Sequence, residues 1–167
     1  MQTSIDTPQS TAAWLLAIRG HGHVALGEHE MIHLIAHNVD LFPVPRSPAH
    51  CRCVILWENQ VLPVLDLATL VGGGRYGTSD RSLAGTSRLM AVLAFSARPG
   101  AEATRVAVLL DAVPERCMVA ETAACDRAEE LGAWAAWSVS GFRHQKYGAV
   151  PILNLPKLFA SPLMDIH

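Results

Sequence analysis

The chain has 167 residues, half of them apolar and only 17% charged, with a formal net charge of −2. This length and apolar content suit one compact domain, or two closely packed subdomains, with a sizeable core. The charge offers no footprint for a nucleic-acid partner, and no run approaches the ~20 apolar residues of a membrane-spanning helix.

In chain order, Met1 to Ala13 is polar and lacks the basic start of a signal peptide. It is expected to be a disordered tail on a cytoplasmic protein whose cysteines stay reduced. Trp14 to Ile18 and Val24 to Leu26 are apolar runs around Gly20 and Gly22, which predicts a strand hairpin. Met31 to Ile35 is a further apolar run, and Leu41 to Pro48, with three prolines, is an extended connection. Val54 to Trp57 and Val61 to Leu65 are predicted strands around the turn Glu58-Asn59-Gln60. Residues 72 to 88, rich in Gly, Ser and Thr, form a loop. A second hairpin is predicted from Leu89 to Phe95 and Val106 to Leu110, with an extended segment over Val113 to Ala120. Ala123 to Ala136 reads as helical, weakened by Gly132. Val150 to Leu153 is the last strand. Many short strands with Gly/Pro turns indicate an all-β barrel or sandwich.

One phrase occurs twice. Val61 to Val71 returns as Ala149 to Phe159 at a constant offset of 88 residues, with Pro63/Pro151, Leu65/Leu153, Leu67/Leu155 and Leu70/Leu158 identical. Each copy reads as a buried strand, a capping residue (Asp66, Asn154) and a short helix. Pro156 sits in a first helical turn, where its missing N–H costs little. Gly72 is positioned to stop the first helix in a left-handed cap. Pro63 and Pro151 suggest edge strands or bulges, because proline cannot donate to a ladder. The repeat suggests two related units in one chain.

His29-Glu30-Met31-Ile32-His33 spells the zinc-protease pattern, and on a helix both histidines would share a face with Glu30 as general base. The segment has no helix cap signal. In an extended chain the two histidines stand about 13 Å apart, too far for one metal. Val39 occupies the place of a metzincin third histidine. His21, His23 and His37 add only adventitious metal affinity. Cys51 and Cys53 lack C-x-x-C spacing, and Cys117 and Cys125 are eight apart, so all four read as free thiols. Gly72-Gly73-Gly74 has no following Lys-Ser/Thr, and Ser138-Val139-Ser140-Gly141 lacks the first glycine of a nucleophile elbow. Asp66 and Asp111 suit capping or turn roles, while Trp134 and Trp137 suit packing or a surface groove. No nucleophile is placed with a base, and no catalytic residue, cofactor or metal is expected.

From about Trp14 to Ala160 the order of segments resembles the CheW family of chemosensory coupling proteins. The resemblance rests on the opening hairpin, the Met31 to Ile35 segment and the Pro43 to Pro48 link. Its main carrier is a Gly-Val-x-Asn-Leu-Arg-Gly-x-Val-x-Pro-Val-x-Asp-Leu stretch, here Cys53 to Leu67. Leu110-Asp111-Ala112-Val113 matches a later strand end. Gly141, 88 residues after Cys53, matches the glycine before the last hairpin. The chain departs from the pattern at Cys53 for Gly, Glu58-Asn59 for Arg-Gly, and Leu34 for an acidic residue.

The resemblance implies an all-β, CheW-like fold: two intertwined five-stranded SH3-like β-barrels with short helices and a groove between them. The expected limits are a tail over 1–13, a first barrel over about 14–71, the loop 72–88, a second barrel over about 89–160, and a tail over 161–167. It further implies a non-catalytic adaptor, with no cofactor, that binds the regulatory domain of a CheA-type histidine kinase and the cytoplasmic tip of a methyl-accepting chemoreceptor. Such an adaptor is recruited to receptor arrays at the inner membrane, and divergent members serve type IV pilus (twitching) systems. The expected partner-binding residues are Ile32, Leu34, Glu58, Asn59, Val61 and Pro63, with core packing the alternative role for Ile32 and Val61. The competing readings are a zinc hydrolase on His29, Glu30 and His33, and a kinase-binding competitor that binds no receptor. Function is expected where the repeat copies differ, at Trp57-Glu58-Asn59-Gln60 against Gln145-Lys146-Tyr147-Gly148.

Overall fold

The computed structural model describes residues 9–72, 89–125 and 128–160. The expected loop from residue 73 onward and the expected tail 161–167 lie outside the described residues. The strands are β1 (Ser10–Ile18), β2 (Gly22–Gly27), β3 (Met31–Ile35), β4 (Phe42–Pro43), β5 (Cys53–Trp57), β6 (Gln60–Leu65), β7 (Leu89–Phe95), β8 (Thr104–Leu110), β9 (Glu115–Ala120), β10 (Ser138–His144) and β11 (Gly148–Leu153). Helices α1 (Leu67–Val71), α2 (Ala128–Leu131) and α3 (Leu155–Ala160) are short.

Two sheets form, in the orders β10-β11-β2-β1-β9 and β3-β7-β8-β6-β5-β4. Without the two-residue β4, the second sheet read from β5 is β5-β6-β8-β7-β3. Both then run antiparallel, parallel, antiparallel, antiparallel from their first strand. The registers make Leu15 equivalent to Val92, Ala25 to Ala107, Val150 to Leu62 and Phe142 to Ile55, and each set packs inside its own sheet. The sheets also curl alike. Beyond β9, Ala124 bridges Phe142 of β10; beyond β3, β4 pairs with β5. The fold is mainly β with two related five-stranded units, as expected, plus one short added edge strand.

The sheets do not follow the sequence halves. Residues 10–27 pair with 115–153, and residues 31–65 pair with 89–110. Each half therefore gives its first hairpin to one barrel and its later strands to the other, unlike the expected division at 14–71 and 89–160. The first strand also begins at Ser10, not Trp14: Ser10 to Ala13 pair with β9 and cannot belong to a tail.

This exchange explains the unbroken apolar runs. Alternate residues of β1, β2, β7 and β8 face a barrel interior or a shared core between the sheets. Leu16, Val24, Leu26, Leu93, Val106 and Val108 lie in that shared core together with Leu67, Leu155 and Leu158 from the repeated helices. Strands buried on both faces lose the polar alternation of a half-exposed strand.

The repeated phrase forms the same structure twice. Asp66 accepts from the Thr69 backbone N–H at 3.2 Å and from its hydroxyl at 2.8 Å, and Asn154 accepts from the Lys157 N–H at 3.1 Å. The prolines are not on edge strands, since β6 and β11 are both interior. Instead each precedes the point where parallel pairing starts, at Val64 with β8 and at Ile152 with β2. A residue without an N–H stands where the ladder has not yet begun. Gly72 is right-handed (φ −74°), so α1 ends without the expected left-handed cap, although the Gly72 N–H still bonds to Ala68 O.

The expected helix over Ala123 to Ala136 is broken into a 3-10 turn at Glu121–Ala123, α2, and a 3-10 helix at Gly132–Trp137, with Gly132 at φ +58°. Trp134 is buried in the shared core and donates to His21 O at 3.1 Å, and Trp137 packs beside it. Both tryptophans serve packing.

Candidate partner-binding face

The hairpin β5–β6 is closed by two residues, because Trp57 pairs with Gln60. Gln60 thus belongs to the strand and not to the turn. Glu58 (φ +46°) and Asn59 (φ +61°) both take the left-handed conformation of a tight hairpin turn. Asn tolerates this region, but a Glu side chain there costs roughly 1–2 kcal/mol. The strand twist and the paired apolar residues below the turn hold it closed.

Cross-strand pairing sets the outer face of this hairpin. Leu56 pairs with Val61, Val54 with Pro63, and Phe42 of β4 with Val54. Cys53, Ile55, Leu62 and Val64 turn into the barrel, so their neighbours turn outward. Leu56 is 60% exposed, Val61 67% and Phe42 51%. Val61 is therefore not core. Of the residues expected from the sequence, Val61 and Pro63 lie on this outer face and Glu58 and Asn59 at its turn, while Leu56 and Phe42, not expected there, share the face. The alternation Val54–Leu56 was legible for Leu56; Phe42 lay in a segment read as plain linker.

Ile32 and Leu34 lie on β3, at the other edge of the same sheet. Ile32 is 42% exposed at an irregularity in the β3–β7 register, so it too is not core, while Leu34 is half-buried opposite Ala91. The structure does not place these two beside the hairpin as hydrogen-bonded neighbours. The edges approach through His33 and Trp57, whose rings lie 5.6 Å apart. Gln60 accepts from Arg105 at 2.9 Å, adding a polar contact at the same barrel mouth.

The second copy has a three-residue turn, His144 pairing with Gly148 (φ +71°). The offset of 88 thus holds for β11 but becomes 87 on β10. Gly141 is consequently equivalent to Val54, not to Cys53. Around this turn His23, Tyr147 and His144 stack, with centroids 3.6 Å and 5.0 Å apart. Tyr147 donates to Glu115 at 2.8 Å, and the Lys146 ammonium lies 5.1 Å from the Tyr147 ring. Burial lowers the His23 pKa, with His144 and Lys146 acting the same way and the Glu115 carboxylate opposing them. The hydrogen bond to Tyr147 raises Lys146.

The zinc-protease pattern falls on a turn and a strand. His29 is an exposed turn residue, Met31 to Ile35 is β3, and Glu30 accepts from the Gly27 N–H at 2.7 Å, so the helix that would align both histidines does not form. Burial raises the Glu30 pKa. Among the described residues no group of three or more His, Cys, Asp or Glu is placed to hold a metal ion. None of the four cysteines is in a disulfide, and the Cys125 thiol donates to Glu130 at 2.6 Å. Burial raises the Cys51 and Cys117 pKa values, which disfavours the reactive thiolate. Asp111 pairs loosely with Arg19 at 3.7 Å, and Ser138 donates to Trp134 O at 2.7 Å. Among the described helices none is long and apolar enough to cross a membrane.

A family model described as a CheW-like domain matches residues 28–163. Among solved structures the chain is similar to the scaffolding protein TtCheW from Thermoanaerobacter tengcongensis: 14% identity, TM-score 0.66, covering 93% of this chain and 91% of that one. No curated protein matches.

Proposed function

The chain belongs to the CheW-like domain family, and from that membership we propose that it is a non-catalytic adaptor coupling chemoreceptors to a CheA-type histidine kinase. In this reading it works in the cytoplasm, at receptor arrays on the inner membrane. The observation that carries the proposal is the β5–β6 hairpin: a charged, strained turn bordered by Leu56, Val61 and Phe42, all more than half exposed. Apolar side chains beside an ordered charged turn are the usual anatomy of a contact patch. Glu58 sets its charge and Asn59 adds a polar amide, Val61 and Pro63 form its apolar centre, while Ile32 and Leu34 form a separate contact on β3.

Glu58 decides specificity. An acidic turn selects a partner with a complementary basic group and repels an acidic one. Glu58→Arg is expected to change the affinity for the cognate kinase regulatory domain about tenfold, on the order of 1.4 kcal/mol, without lowering Tm. Pull-down and calorimetry with that domain and with the receptor tip check this. Unchanged binding after residues 57–60 are scrambled in a folded protein would remove the site. The same charge reversal, with Leu34 in place of an acidic residue, also favours a competitor that engages the kinase alone. Kinase binding with no receptor binding in the separate assays selects that reading. Pilus-linked output is the more specific form of the proposal, and twitching measured in a strain lacking the protein tests it.

A further inference from the structure

Barrel equivalence sets Val54, Leu56, Val61 and Pro63 of β5–β6 against Gly141, Arg143, Ala149 and Pro151 of β10–β11. On β10–β11 the chain covers this face itself, with the segment between β9 and β10. A Cβ at Gly141 would lie 2.5 Å from Leu131 Cδ2 of α2, Pro151 is buried, and Glu130 of the same helix receives Arg143 at 2.7 Å. On β5–β6 the corresponding segment, residues 44–52, contains Pro45 and Pro48 and forms turns, not a helix. Val54 and Pro63 are half-buried there, where Pro151 is buried, and Leu56, Val61 and Phe42 stay exposed.

Three exposed apolar residues, Leu56, Val61 and Phe42, with the half-buried Val54 and Pro63 beside them, fall well short of the about 20–30 residues that one partner gives to a standard interface. This face suits a short segment, and the molecule shows which segment fits such a face. We propose that the outer face of β5–β6 docks a short helical segment of a partner protein, seated as α2 is seated on β10–β11. One aliphatic side chain rests on Val54 and Pro63, as Leu131 rests on Gly141. A second apolar side chain, in the place of Glu130, rests on Leu56. Leu56 occupies the position of Arg143, so a carboxylate there would be desolvated without a partner. The inference rests on the reading of this hairpin as a partner face and adds the kind of occupant.

The test uses two helix-stapled synthetic peptides that carry residues 128–131 of this chain between flanking alanines, one with the native Glu130 and the other with Glu130→Leu. Both are titrated into the isotope-labelled full chain and its Leu56→Arg variant, and amide shifts are followed by NMR. The leucine peptide is expected to shift amides of residues 53–62 in the wild type and to bind at least fivefold tighter than the glutamate peptide. Leu56→Arg should reverse that preference. Shifts confined to other surfaces, or a preference indifferent to residue 56, would overturn the proposal. Kinase capture that depends on Glu58, with no peptide effect on the hairpin, would leave the adaptor reading standing and remove the helical occupant.

Discussion

At the scale of single residues, Gly141 and Val54 show how one structural position can demand opposite side chains. Both sit on the outer face beside the proline that the two hairpins share, Pro151 or Pro63. A Cβ on Gly141 would lie 2.5 Å from Leu131 Cδ2 and 2.5 Å from the Cys125 backbone O, and backbone cannot yield as a flexible side chain can. Gly141→Ala is therefore expected to destabilise the protein by about 1–3 kcal/mol through overpacking, measured as a lower urea midpoint with unchanged slope. Val54→Ala should cost less, since Val54 is only half-buried. A neutral Gly141→Ala would mean that α2 moves aside freely. The identity of Gly141 was legible in the sequence, but its equivalence to Val54 was not, because the third turn residue of β10–β11 shifts the offset by one. Glu58 and Asn59 were legible as a turn from their position between apolar runs; that both are left-handed follows only from the pairing of Trp57 with Gln60.

At the scale of elements, the β10–β11 turn is held to β2 and β9 by titratable groups: His23, His144, Lys146, Tyr147 and Glu115. Burial lowers the His23 pKa below 6.5, and burial lowers that of His50 too. In the window below 6.5 the unfolded chain binds more protons than the folded one. Stability from these histidines is thus complete above about pH 6.5 and is lost as pH falls through their folded values. Glu30 acts oppositely: its raised pKa makes the folded state bind the extra proton, so stability is lost as pH rises above 4.5. Thermal melts from pH 8 to 5 should show Tm falling by a few degrees below pH 6.5. His23→Phe keeps a ring on Tyr147 and should flatten that fall; a variant with the wild-type slope would exclude His23 as its source. Strand, cap and helix were legible in each repeat copy from β-branched runs followed by Asp66 or Asn154. The stacked histidines were not, because β2 and the last turn lie over a hundred residues apart in sequence.

At the scale of the whole molecule, each barrel needs both halves of the chain, so neither half has a closed sheet of its own. Separately expressed residues 1–72 and 89–167 should each lack fixed tertiary structure, and mixing them should restore a near-ultraviolet circular dichroism signal. The intact chain should unfold in one transition, since the shared core takes side chains from both sheets. A folded isolated half would contradict the exchange of hairpins. What the sequence determined by itself is the kind of fold: apolar runs, turn residues and the repeated cap-helix phrase are local signals from which a mainly β architecture follows, and the resemblance of the segment order and the Cys53 to Leu67 stretch implied its CheW-like form. Only the tertiary structure decided which hairpin joins which barrel, that the proline strands are interior, and that Leu56 and Phe42 join Val61 on one bare face. Those outcomes depend on pairings between distant segments and on whether α2 or a proline turn lies over a strand pair, and alternation along one strand carries no information about what lies on it.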